Sequence, residues 1–259
     1  MIDAHAVLID IDGVLTVSWE PLTGAVEAVR AIRDAGLPFA LITNTTSRTR
    51  ARIAATLAEA GFPVEPEDVL TAPSAAAAYL REHRPDARCL LLNSGEIAED
   101  LGGVHLVDDA PDVVLTGGAG PEFGYEALNS VFGHLQRGAE LMAMHANLFW
   151  RTSAGLSLDT GAFLLGLQQA AGTRATILGK PARAFFDTAL RGLDATAGRT
   201  AMIGDDVESD VLGAQRHGLT GVLVRTGKFQ PDHEDGIDGE VPDHVIDSVA
   251  DLPGLLGLG

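Results

Sequence analysis

Asp10 and Asp12 stand two residues apart, just past the apolar run Ala6-Val7-Leu8-Ile9, and Gly13 follows them. A carboxylate is a weak nucleophile, but it needs no deprotonation at neutral pH. Attack by Asp10 on phosphorus would form an aspartyl-phosphate. Asp12 would then protonate the leaving oxygen and later activate water. Gly13 permits a tight exit turn. Taken alone, the same tetrapeptide equally suits a polar strand end with a turn.

Three further groups share this placement after an apolar run. Thr43-Asn44-Thr45 offers hydroxyls and backbone N–H groups at a strand-to-helix junction, a cradle for an anion. With Asp10, Ile11, Asp12 and Lys180, it makes up the expected phosphate-binding set. It also reads as a plain N-cap region. Lys180, between Gly179 and Pro181, would neutralise both Asp10 and an incoming phosphate, or would be a surface lysine beside a helix start. It is no P-loop lysine, because Pro181 stands where Ser or Thr is required. Asp205, Asp206 and Asp210 follow Gly204, and three acids there would repel unless a cation joined them. Mg²⁺ takes one or two direct carboxylates and keeps several waters. Asp10, the main-chain carbonyl of Asp12 and Asp205 are the expected direct ligands, with Asp206 and Asp210 acting through water. Acids at a helix N-terminus favoured by the macrodipole are the competing reading. Together the four groups supply nucleophile, acid/base, anion donors, fixed cation and metal site, the parts that phosphoryl transfer needs.

The elements that must hold these groups alternate between strand and helix. Residues 6–9, 39–42, 176–178, 201–203 and 222–224 are short apolar runs with the character of buried parallel strands. Helices are predicted over 24–35, from Ser47 to about residue 60, over 184–193 and over 208–217, with a last short one from a Ser248/Asp251 capping box. Between them, 75–82, 128–135 and 162–171 read as helices and 89–92, 113–116 and 141–144 as strands. This predicts an α/β protein: a Rossmann-like parallel-sheet core of residues 1–73 and 177–259, with an inserted α/β cap of residues 74–176. An insertion that covers the site is the natural reading, because open parallel sheets bind ligands outside the carboxyl ends of their strands.

The net charge of −18 opposes binding to nucleic-acid phosphates and gives no support to an anionic membrane, but it suits cation binding. The acids from Asp232 to Asp251 read as loop and surface. Cys89 is the single cysteine, so no internal disulfide forms. With no membrane-length apolar run and no signal-like N-terminus, the expected location is the cytoplasm.

Asp10-Ile11-Asp12-Gly13-Val14, Thr43-Asn44, Gly179-Lys180-Pro181 and Gly204-Asp205-Asp206-Val207-Glu208-Ser209-Asp210 resemble the motifs of the haloacid dehalogenase superfamily of phosphohydrolases. Their spacing is similar to that of the subclass with a large α/β cap between the second and third motifs. Met202-Ile203-Gly204-Asp205-Asp206, Gly213-Ala214-Gln215 and Val224-Arg225-Thr226-Gly227-Lys228-Phe229 resemble, within it, the phospholysine phosphohistidine inorganic pyrophosphate phosphatase group. The resemblance spans nearly the whole chain, with specific core motifs and a looser cap. It implies Asp10 as nucleophile, Asp12 as acid/base, Thr43 and Lys180 as phosphate binders, and Asp205 as metal ligand.

One departure stands out: some vertebrate relatives of that group carry Ser where this chain has Asp12. Asp12 therefore favours ordinary phosphatase chemistry and weakens carry-over of those relatives' specificity. The superfamily's dehalogenases lack this second acid, and its ion pumps replace it with Thr. The implied substrate is a small phosphorylated metabolite. The resemblance leaves the oligomeric state open and admits a homodimer, since caps of this subclass often contribute to dimers.

Other signals are weaker. Gly117-Gly118-Ala119-Gly120 fails the dinucleotide spacing and reads as a loop. The histidines show no metal-ligand spacing. Asp159-Thr160-Gly161-Ala162-Phe163 reads either as a helix cap or as a specificity loop. A binding protein that keeps the site without activity, and a phosphotransferase that passes the phosphoryl group to a second substrate, are the rival functions.

Overall fold

Alternate residues of the central strands face opposite ways, and both faces are apolar, which is the condition for a parallel sheet covered on both sides. The computed structural model describes residues 1–152 and 155–258. Its six-stranded sheet contains β1 (Ala6–Asp10), β2 (Phe39–Thr43), β3 (Val69–Thr71), β4 (Thr200–Gly204), β5 (Thr220–Val224) and β6 (His244–Ile246). Their order in space is β6-β5-β4-β1-β2-β3. On one face Val7, Ile9, Leu41, Ala201, Ile203, Val222 and Val224 pack with α1 (Ala25–Asp34) and α2 (Arg50–Glu59). On the other, Leu223 packs with Val207, Val211 and Leu212.

The chain forms two compact units. One holds Met1–Thr43, Arg50–Leu70 and the chain from Lys180 onward; the other holds Asn44–Thr49 and Thr71–Gly179. The second unit has its own parallel sheet, in which Val113–Thr116 lies between Arg88–Leu92 and Glu140–Ala143, with Thr176–Ile177 and His105–Leu106 at the edges. Val114, Leu141 and Ala143 of that sheet pack with Val131, Leu135, Leu164 and Leu167 of its helices Tyr125–Gln136 and Thr160–Ala171. Among the described residues no helix is long and apolar enough to cross a membrane.

Three local expectations change. The helix predicted from Ser47 starts at Arg50. The helix predicted over 208–217 is instead a wide π turn, Val207–Leu212, followed by a short α turn, Gly213–Gln215. The cause is visible in the bonding: the amides of Asp210 and Val211 both donate to the Asp206 carbonyl, at 3.0 and 3.3 Å. The acidic stretch after residue 231 is not all loop, because β6 lies in it as an edge strand and Glu234 and Asp247 both pair with Arg225. Two short antiparallel pairs, Thr16–Val17 with Glu20–Pro21 and Phe149–Thr152 with Gly155–Leu158, escape the periodicity because strands of two to four residues are too short to establish it.

Leu41 is fully buried in the first core. Leu41→Ala leaves a cavity under the sheet and should cost about 2–5 kcal/mol, read as a lower midpoint in urea unfolding. A loss below 1 kcal/mol would mean that this face is not close-packed.

Candidate active site

Register sets the site. Ile9 pairs with Leu41 on β2 and with Ile203 on β4, so the carboxyl ends of the three central strands lie side by side. Asp10 ends β1, Thr43 ends β2, and Asp205 follows β4. Thr43 is buried, and so are the charged Asp10, Lys180, Asp205 and Asp210, between 1% and 6% exposed, which is rare for charged groups unless they are paired. Asp12 is exposed and Asp206 half-buried.

Lys180 joins the acids. Its ammonium donates to Asp10 Oδ1 and lies 2.8 Å from Asp210 Oδ1. Asp10, Asp205 and Asp210 each place an oxygen within 4.8 Å of the other two. Burial pushes the Asp10 pKa well above the usual carboxylate range; Asp210 and Asp205 add to this, while Lys180 opposes it. Burial also pushes Asp205 up to about 6, with Asp210 adding to it and the Lys228 amide opposing. For Lys180, burial works to remove the proton, but the charges of Asp10 and Asp210 outweigh it and keep the ammonium protonated.

Asp10 and Asp210 thus share the Lys180 ammonium, with the third buried carboxylate, Asp205, close beside them. That excess of oxygen donors fits a small hard divalent cation, which prefers such ligands. The placement of the acids separates two residues that were expected to act alike. Asp210 sits within the acid cluster, carried there by the π turn, whereas Asp206 turns away. The Asp206 carboxylate accepts from the Ser209 amide at 3.0 Å and pairs with Lys228 Nζ at 3.0 Å. Burial opposes ionisation of Asp206, yet Lys228 and Ser209 hold its pKa below the usual value.

Gly13 has φ +85°, a conformation that favours glycine, and a Cβ there would run into the Asp205 carboxylate. Its amide donates to the Thr16 carbonyl at 2.7 Å and closes the turn after Asp12. Thr226 Oγ1 donates to the Gly13 carbonyl at 2.5 Å, and the Lys228 amide donates to Asp205 Oδ2 at 2.8 Å. The chemical reading of the sequence gave Thr226 and Lys228 no role. Their signal was available, since Thr226-Gly227-Lys228 follows an apolar strand just as the other motif groups do.

Asn44 and Thr45 belong to the second unit. In that unit Gly118 donates its amide to Thr46 Oγ1 at 2.9 Å and Ala119 donates to Asp159 Oδ1 at 3.0 Å, so the glycine run is a loop tied to its neighbours. Asp159 Oδ1 also accepts from the Thr160 amide at 2.8 Å as a helix cap, and Phe163 packs against Phe123. His145 is buried 3.9 Å from Asp159, and burial lowers its pKa against the pull of that carboxylate.

The sequence family described as haloacid dehalogenase-like hydrolase matches residues 7–106, and a second, HAD-hydrolase-like, matches residues 177–252. Haloacid dehalogenase-like hydrolase domain-containing protein 2 of Homo sapiens is 35% identical over 233 residues, covering 90% of this chain and 88% of that protein. Phospholysine phosphohistidine inorganic pyrophosphate phosphatase of Xenopus laevis is 37% identical over 238 residues, covering 89% and 86%. Among solved structures, the p-nitrophenyl phosphatase from Archaeoglobus fulgidus superposes with a TM-score of 0.92 at 26% identity, covering 98% of this chain and all of that one. The glycerol phosphate phosphatase from Mycobacterium tuberculosis, in complex with magnesium, gives 0.86 at 28% identity, covering 96% and 76%.

Removing the central ammonium leaves buried like charges uncompensated. Lys180→Met should therefore cost about 3–5 kcal/mol in urea unfolding with EDTA present. Adding Asp10→Asn to that variant should recover part of the loss. A Lys180→Met protein as stable as the parent would show that the cluster carries no such electrostatic burden.

Proposed function

The chain belongs to the haloacid dehalogenase-like hydrolases, and on that premise we propose that it is a Mg²⁺-dependent phosphatase of a small phosphorylated metabolite, working through an aspartyl-phosphate on Asp10. The observation that carries this reading is the buried Asp10 carboxylate, held by Lys180 beside Asp205 and Asp210 at the carboxyl ends of parallel strands. Relatives support it: one with magnesium bound is named for glycerol phosphate, and another for p-nitrophenyl phosphate.

In this reading an Asp10 oxygen attacks phosphorus, an O–P bond forms, and the ester P–O bond breaks. Asp12, exposed beside Asp10 in the chain, delivers the proton to the leaving oxygen. Asp12 then takes a proton from water as the water oxygen bonds to phosphorus, the Asp10–P bond breaks, and inorganic phosphate leaves. Lys180 offsets charge on the transferred group, and the Thr43 hydroxyl with the backbone of Ile11 and Asp12 is read as donating to its oxygens. Asp10, Asp205 and Asp210 would hold Mg²⁺ together with the Asp12 carbonyl, and the ion would supply positive charge against the phosphoryl oxygens. The second unit is read as the inserted cap that sets substrate choice.

The test is phosphate release over a panel of phosphorylated metabolites, with Mg²⁺ and with EDTA. Phospholysine, phosphohistidine and pyrophosphate join the panel because the Xenopus relative is named for them. Turnover should require Mg²⁺. Asp10→Asn should lower kcat by at least about 10³-fold while far-UV circular dichroism stays unchanged. Undiminished turnover by Asp10→Asn would sink the covalent mechanism. Transfer of phosphate to an added alcohol in place of water would reassign the chain as a phosphotransferase.

A further inference from the structure

We propose that the Thr226-Gly227-Lys228 turn is a positioning element of the active site, with Thr226 as its decisive residue. Resting on the phosphatase reading above, the inference is that this turn locks the loop after the nucleophile strand to the Asp205 carboxylate, so that the acid cluster is preformed before a cation binds.

The turn follows β5, which pairs with β4, and β4 pairs with β1. It makes two polar ties, one to each partner. Thr226 Oγ1 donates to the Gly13 carbonyl at 2.5 Å, and the Lys228 amide donates to Asp205 Oδ2 at 2.8 Å. Between them the two glycines meet. A Cβ on Gly227 would lie 2.6 Å from Gly13 Cα and 2.8 Å from Asp205 Cγ, so neither glycine has room for a side chain.

The Gly13 amide is already tied to Thr16, which fixes the peptide plane that carries the Asp12 carbonyl. Thr226 fixes the next plane. The peptides on both sides of Gly13 are therefore pinned, and with them the backbone of Asp12. Lys228 adds a third tie through its ammonium to Asp206, at 3.0 Å. These ties end on Gly13, Asp205 and Asp206.

Thr226→Val keeps the side-chain shape and removes the donor, and Thr226→Ser keeps the donor. Two readouts separate positioning from general damage. In EDTA, amide hydrogen exchange at Gly13 should quicken about tenfold in Thr226→Val and stay within twofold of the parent in Thr226→Ser. By titration calorimetry with Mg²⁺ alone, Thr226→Val should bind about tenfold more weakly, with Thr226→Ser restored. In turnover, Thr226→Val should lower kcat with little change in KM. Parental exchange and Mg²⁺ affinity in Thr226→Val would overturn the proposal, as would a Thr226→Ser variant as impaired as Thr226→Val. A parent that binds no Mg²⁺ overturns the metal reading instead, and the exchange readout still decides the positioning role.

Discussion

The Lys180 ammonium lies among carboxylates that have been withdrawn from water. Placing an ion in a protein interior costs several kcal/mol even after relaxation, and three like charges raise that cost further. The fold bears it only because β1, β2 and β4 bring their carboxyl ends into register and because Lys180 returns to the same edge after the second unit. Asp10 and Asp205 remain harder to ionise than ordinary carboxyls. The rigid sheet beneath them, with Val7, Ile9 and Ile203 fully buried, resists the collapse that would relieve the crowding. The crowding of Asp10, Asp205 and Asp210 is thus a consequence of where the strands end.

Much of this was legible in the sequence because the signals were short, local and apolar. Each of the motif groups Asp10, Thr43 and Asp205 follows a short apolar run with the character of a buried strand, and the alternation of such runs with helices predicted a parallel core. The α/β character of the inserted segment was readable for the same reason: Val113–Thr116 and Glu140–Ala143 are strands, and 125–136 and 160–171 are helices. The family motifs then joined those elements to a mechanism.

What was not legible depends on backbone geometry that periodicity does not encode. A π turn and an α-helix have nearly the same apolar pattern over six residues, so the position of Asp210 inside the acid cluster could not be read from its spacing. Asp206 could not be separated from Asp205 in sequence; a capping bond to Ser209 and an ion pair to Lys228 divide their roles. Asn44 and Thr45 follow Thr43 without a break, yet the structure counts them with the other unit. The Thr226 contact joins residues 213 apart, and no local rule reports a hydrogen bond of that span.

The central place of β1 also governs how the chain can be made. β1 leaves the ribosome long before one of its two neighbours, β4, which begins only at Thr200. At ordinary synthesis rates the ~190 residues between them take about 10–40 s to emerge. For that interval one edge of a buried strand, apolar from Ala6 to Ile9, has no native partner, the condition under which strands pair with the wrong chain. Between the two strands the ribosome delivers a unit with a sheet and a hydrophobic core of its own. The acid cluster, in turn, cannot form until Asp210, 200 residues after Asp10, has been translated.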